Sequence, residues 1–261
     1  MTPYSVIEHL AKAIQFGEWH KGLFAMFSAY FDASGHEEDP QIQVVSTAGF
    51  IAPVDVWIEF ETKWTERIRR EGLTAFHMSD CANYRYDFEG WQSKGKVRQQ
   101  LLHDLLDIIK LLSRKFGCTI PSKLYAQTLS ESLREKFKFK AYVITGRACA
   151  ARVREWSERE RAPQVSNIQF FFESGDNWQK ELKQRLMEDG FPEPIFKSKR
   201  DRYSTSKKLI ERGLIPFQAS DVLAHIIFVA EKYYRRGKED WDQKENIHWM
   251  LEDLESAVEG P

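Results

Sequence analysis

Cysteine is scarce in this chain: three residues in 261, Cys81, Cys118 and Cys149, with no C-x-x-C spacing. An odd, scattered set excludes a zinc knuckle and a disulfide framework, and fits reduced thiols in a cytoplasmic protein. An excess of charge is missing too. Thirty-eight Lys and Arg stand against 39 Asp and Glu, a net charge of −1, so no global field draws the chain to nucleic acid or membrane. No basic stretch followed by an apolar one opens the sequence, so no signal peptide is expected. The longest apolar segment, residues 214–234, contains Gln218, Asp221, His225 and Glu231. A membrane span would not tolerate these, and the segment reads as a buried helix. Internal repeats, low-complexity tracts and interdomain linkers are not apparent.

What is present describes a well-packed globular chain: 42% hydrophobic and 13% aromatic residues, over a length that can bury a large core. Charge is uneven locally. Residues 132–161 hold nine basic against four acidic side chains, residues 196–212 seven against two, and residues 231–261 five against nine. Such runs serve as solvated helix faces as readily as binding surfaces.

Periodicity sets out the elements. Residues 3–16 predict an amphipathic helix through Val6, Ile7, Leu10 and Ile14. Residues 23–31 and 43–51 predict two strands, close enough in sequence for an antiparallel pair. Residues 56–70 predict a helix with Trp57, Phe60, Trp64 and Ile68 inward, and residues 74–78 a brief extended piece. Helices are predicted over 97–112, 137–161, 178–187 and 216–236, and strands over 116–121, 168–172 and 194–197. The order implies an α/β fold with one mixed sheet. It divides into a helical extension (1–22), one main domain (23–236) and an acidic C-terminal segment (237–261).

Three acids stand out. Asp32 closes the first apolar run and opens a polar turn, Asp32-Ala33-Ser34-Gly35. Glu173 follows the strand over 168–172. Asp221 lies inside an apolar helix, with Gln218 and His225 on the same face. A lone buried carboxylate is costly, so each needs water, a partner or a metal. Taken singly, Asp32 could bind turn amides, Glu173 could form a salt bridge, and Asp221 could pair with a buried arginine. Together they predict a convergent acidic site at strand ends, where open α/β sheets gather their ligands. Clustered carboxylates repel unless a cation is present, and Mg²⁺ or Mn²⁺ suits hard oxygen donors.

The strand leading to Asp32-Ala33-Ser34-Gly35, then Ala48-Gly49-Phe50, Phe76-His77-Met78-Ser79-Asp80, Glu173-Ser174-Gly175-Asp176 and Gln218-Ala219-Ser220-Asp221-Val222-Leu223-Ala224 follow one another in a familiar order. Across roughly residues 24–230 the chain resembles the domain-of-unknown-function 3800 family, whose members look like ribonuclease H-fold proteins. The resemblance implies a ribonuclease H-like mixed sheet flanked by helices, with helical insertions. It implies a site of Asp32, Glu173 and Asp221, with Asp80 and Asp176 as further acids, a divalent metal, and nuclease-like chemistry. Ala33 departs from the pattern, since the family usually has Glu there. Strand alternation turns that position away from Asp32.

Two functions follow. One is a metal-dependent nuclease or phosphodiesterase. Asp32, Glu173 and Asp221 would be its catalytic and metal-holding acids, and Lys197, Lys199, Arg200, Lys207 and Lys208 would contact a nucleic-acid backbone. Tyr203 would be a candidate for stacking, and His77, Gln218 and His225 supporting residues. The other is an inactive module of the same fold that docks nucleic acid or a protein partner. An aspartyl phosphatase like the haloacid dehalogenases needs a second acid where Ser34 stands, and fits poorly.

Overall fold

Residues 27–31 (Phe-Ser-Ala-Tyr-Phe) mix aromatic and small side chains, and strand alternation sends successive ones to opposite faces of a sheet. In a computed structural model of the chain they open β1 (Phe27–Ser34), the central strand. The structure describes residues 5–7, 27–35, 44–112, 114–121, 130, 132, 140–160, 168–174, 178–204 and 209–236. Most of the helix predicted over 3–16 and all of the acidic segment after 236 lie outside them.

β1 pairs antiparallel with β2 (Val44–Pro53), placing Asp32 opposite Ala48. This is the pairing the sequence predicts. Helix α1 (Val54–Arg70) follows directly and buries Trp57, Phe60, Trp64 and Ile68. A short helix, α2 (Met78–Asn83), and α3 (Gly95–Ile109) lead to β3 (Arg114–Pro121), which pairs antiparallel with β2. Helix α4 (Ala141–Glu160) then precedes β4 (Ile168–Glu173), which lies parallel to β1 on its other side. Helix α5 (Gln179–Glu188) brings the chain back to β5 (Ile195–Lys197), parallel to β4. A small hairpin, β6 (Arg202–Ser204) and β7 (Leu209–Glu211), precedes helix α6 (Pro216–Arg236). The main sheet is therefore five-stranded and mixed, in the order β3-β2-β1-β4-β5.

Helices cover both faces. Tyr30, Ala48, Phe50 and Phe171 pack with α1, α3 and α6 on one side. Phe31, Ile51, Phe170 and Phe172 pack with Val143, Ala150, Val153, Leu182 and Leu186 on the other. Burial of both faces explains why β1 and β4 read as apolar runs. On the first face a line of ring contacts runs Tyr30–Trp57–Phe60–Trp64–Phe76–Phe88–Trp91, with centroids 4.8–5.9 Å apart. Such pairs contribute about 0.5–1.5 kcal/mol each beyond area burial. The line ties the central strand to the segment that carries His77 and Asp80.

The extended piece expected at 74–78 is seen at His77, after which Met78 begins α2. One sequence expectation is corrected. Asp32 does not open a turn, because β1 continues to Ser34. The β1–β2 pairing extends to Ser34 opposite Ser46, so ladder bonds keep the polar residues in the strand. Among the described residues, no helix is long and apolar enough to cross a membrane.

Candidate functional site

Alternation along β1 places Asp32 on the same sheet face as Tyr30, and along β4 it places Glu173 on the face of Phe171. Both face α6. Phe31 pairs with Phe172 across the two parallel strands, so Asp32 and Glu173 come one step further along neighbouring strands. Their carboxyl groups lie close enough for Glu173 to raise the Asp32 carboxyl. Ala33 faces the opposite way and packs with the α4–α5 core, as alternation predicts. An acid at that position would point away from the site.

α6 brings the third acid. The Ser220 hydroxyl donates to the Tyr30 carbonyl at 2.9 Å and docks the helix against β1. Gln218 Oε1 accepts from Trp64 Nε1 and from the Phe76 amide, both at 2.8 Å. Asp221 Oδ2 accepts from the Met78 amide at 2.6 Å. One helix face thereby fixes α1, the segment before α2, and its own acid.

The acids converge on a lysine. Lys199 Nζ donates to Asp32 Oδ2 at 2.8 Å and to Asp221 Oδ1 at 2.9 Å, and lies 3.3 Å from Glu173 Oε2. The Lys199 side chain is 12% exposed. Its backbone is held where β5 ends: Ser174 N donates to Lys197 O and Leu214 N to Ser198 O, both at 2.8 Å. On the far side of Asp221, His77 Nε2 lies 3.2 Å from Asp221 Oδ1, and His77 Nδ1 lies 3.2 Å from Asp80 Oδ2. Asp80 also pairs with Arg200.

Burial pushes the Asp32 carboxyl well above the carboxylate range, and the charges of Glu173 and Asp221 add to this against Lys199. Asp221 is equally buried, yet Lys199 and His77 together hold it below its usual value. The three acids raise Lys199 in spite of its burial. Asp221 also outweighs burial at His77 and raises the imidazole. The same cluster thus raises one buried carboxyl, Asp32, and lowers another, Asp221.

The cluster opens on a cavity of about 310 Å³ lined by His77, Asp80, Tyr86, Glu173, Ser198, Lys199 and Arg200. Of the predicted site residues, the structure brings together Asp32, Glu173 and Asp221, with His77 against them. Asp80 stands outside the ring, behind His77. Gln218 is structural, and His225 is not among the cavity-lining residues. Asp176, Lys207 and Lys208 lie outside the described residues, as does the side chain of Tyr203. Arg200 reaches the cavity rim, whereas Lys197 ends β5 opposite Glu173. Lys199, expected to face a nucleic-acid backbone, instead sits among the acids. Sequence reasoning missed its role, although three buried acids demand a nearby counter-charge. It also missed Tyr86.

Among the described residues, no group of three or more His, Cys, Asp or Glu side chains is placed to hold a metal. The donor set is nonetheless of the hard all-oxygen type that Mg²⁺ and Mn²⁺ take, and it already surrounds a cation. Comparison with protein-family models, curated proteins and solved structures finds no match for this chain.

Proposed function

We propose that the protein is a divalent-metal-dependent phosphodiester hydrolase, a nuclease of ribonuclease H-like fold, acting on nucleic acid. One observation carries this reading: acids from β1, β4 and α6 direct their oxygens at a single cation position on the edge of a polar cavity. The mixed sheet, with two of those acids at the ends of adjacent parallel strands, supports the same fold. Asp32, Glu173 and Asp221 would hold the ion once the Lys199 ammonium withdraws. Mg²⁺ or Mn²⁺ at that position supplies an activated water and offsets charge on the scissile phosphate. Lys199 and Arg200, both lining the cavity, then face the phosphate, and His77 holds Asp221 in place. Three cysteines without a disulfide fit a reducing, cytoplasmic setting.

A second reading has its own support. Lys199 already neutralises part of the cluster, as expected of an inactive module that keeps its acids for structure while binding nucleic acid or a protein. Incubation with single-stranded, duplex and hybrid oligonucleotides in Mg²⁺ or Mn²⁺ separates the two. The hydrolase reading expects cleavage that Asp32→Asn reduces about 100-fold or more. No cleavage of any substrate by a protein that binds the metal leaves the module.

A further inference from the structure

Tyr86 combines a strained backbone with a side chain that lines the cavity. Its φ is +53°, left-handed backbone that a bulky side chain rarely adopts. Strain of that kind persists only where the surrounding structure imposes it, and it gathers at ligand sites. Here the ring is 69% exposed. Its surroundings, by contrast, are fixed. Asp87 Oδ2 accepts from the Thr74 hydroxyl at 3.0 Å, and Phe88 and Trp91 are buried in the aromatic line behind the segment. A short turn anchored at its back thus holds one aromatic ring out over the cavity.

Besides the His77 imidazole, that ring is the one aromatic group lining the cavity among the described residues. The rest of the lining is polar or charged. The Arg200 guanidinium lies 6.0 Å from the Tyr86 ring centre, and Lys199, Ser198 and His77 line the same cavity. A flat apolar surface adjoining cations and a hydroxyl matches a flat heterocycle joined to a phosphate. Arginine next to the ring can extend the platform. We infer that Tyr86 is a stacking platform for an unpaired nucleobase, which makes single-stranded nucleic acid the substrate class of this site. In a duplex each base face is covered by its neighbours, so a stacking ring favours single strands. The inference rests on the hydrolase reading and adds the feature that selects the strand.

The test uses the full chain in EDTA, so that bound strands stay intact. Fluorescence anisotropy is measured with labelled single-stranded DNA, single-stranded RNA and the matching duplexes, for the unaltered protein, Tyr86→Phe and Tyr86→Gly. Tyr86→Phe keeps the ring and is expected to bind as the unaltered protein does. Tyr86→Gly removes it and relaxes the backbone, because glycine takes positive φ without penalty. The expected signature is a higher melting temperature together with at least a fivefold loss (about that order) in single-strand affinity, and little change for duplex. Loss for DNA alone or RNA alone assigns the sugar as well. Unchanged single-strand binding by Tyr86→Gly, equal losses for single strand and duplex, or no oligonucleotide binding by the unaltered protein overturns the inference. Cleavage assays on the same proteins keep the two claims apart. A protein that cleaves normally while Tyr86→Gly binds normally refutes the platform and leaves the hydrolase standing. Selective weakening without any cleavage retains the platform and removes the hydrolase.

Discussion

At the scale of single residues, His77 reports on the cluster through its proton. Asp221 raises the imidazole above its ordinary value of 6.5 despite burial. A group whose folded-state value is raised stabilises the fold fully below its unfolded value, and loses that contribution as pH rises through the folded one. The His77–Asp221 contact should therefore matter most in mild acid. Replacing His77 by Gln is expected to cost more stability at about pH 5.5 than at about pH 8.5, measured by urea unfolding. An equal cost at both would mean that the imidazole does not take up a proton against Asp221. The acids themselves were legible in the sequence because a carboxylate inside an apolar run is conspicuous. Their counter-ion was not. Lys199 reads as one cation in a basic run, and only the end of β5, fixed by the Leu214 amide, turns it inward. Tyr86 left no trace, since neither exposure nor a left-handed backbone can be read from one tyrosine.

At the scale of elements, α6 is the part on which the site hangs. Its boundaries were predicted as observed, because Gly213 and Pro216 mark its start and its apolar face is long. What the face holds was less legible. Gln218 reads as a supporting residue, but its oxygen satisfies two buried donors from different elements, Trp64 Nε1 and the Phe76 amide. Gln218→Ala would orphan both, at about 2 kcal/mol or more, and loosen the segment carrying His77. Chemical denaturation should show the loss, together with faster amide exchange at residues 76–80. In the sheet, β2 approaches β1 so closely at Gly49 that a methyl group there would overlap the Tyr30 carbonyl oxygen. Gly49→Ala is expected to cost about 3 kcal/mol by displacing the strand that carries Asp32. A thermal melt unchanged by that substitution would contradict the pairing. The short elements escaped the sequence reading, namely α2 and the β6–β7 hairpin. Runs of three to six residues carry too little periodicity to be seen.

At the scale of the whole molecule, a near-neutral chain gathers Asp32, Glu173, Asp221 and Lys199 at one edge of the sheet. Three acids share one lysine there, and burial together with the charges of Glu173 and Asp221 raises the Asp32 carboxyl. The mixed sheet was legible because both its faces are buried and its strands read as apolar runs. The meeting of residues 32, 173 and 221 was foreseen from their similar placement, while the strand order that produces it follows from pairings the sequence does not display. The proposed hydrolase requires this edge to be a cation site whose resident ammonium gives way to a divalent ion. Calorimetric titration with Mn²⁺ of the unaltered protein, Lys199→Ala, and Lys199→Ala combined with Asp32→Asn tests it most directly. The account predicts weak binding by the first, at least tenfold tighter binding (about 1.4 kcal/mol) by the second, and loss of that gain in the third. Lys199→Ala that folds and shows no heat dependent on Asp32 would contradict it.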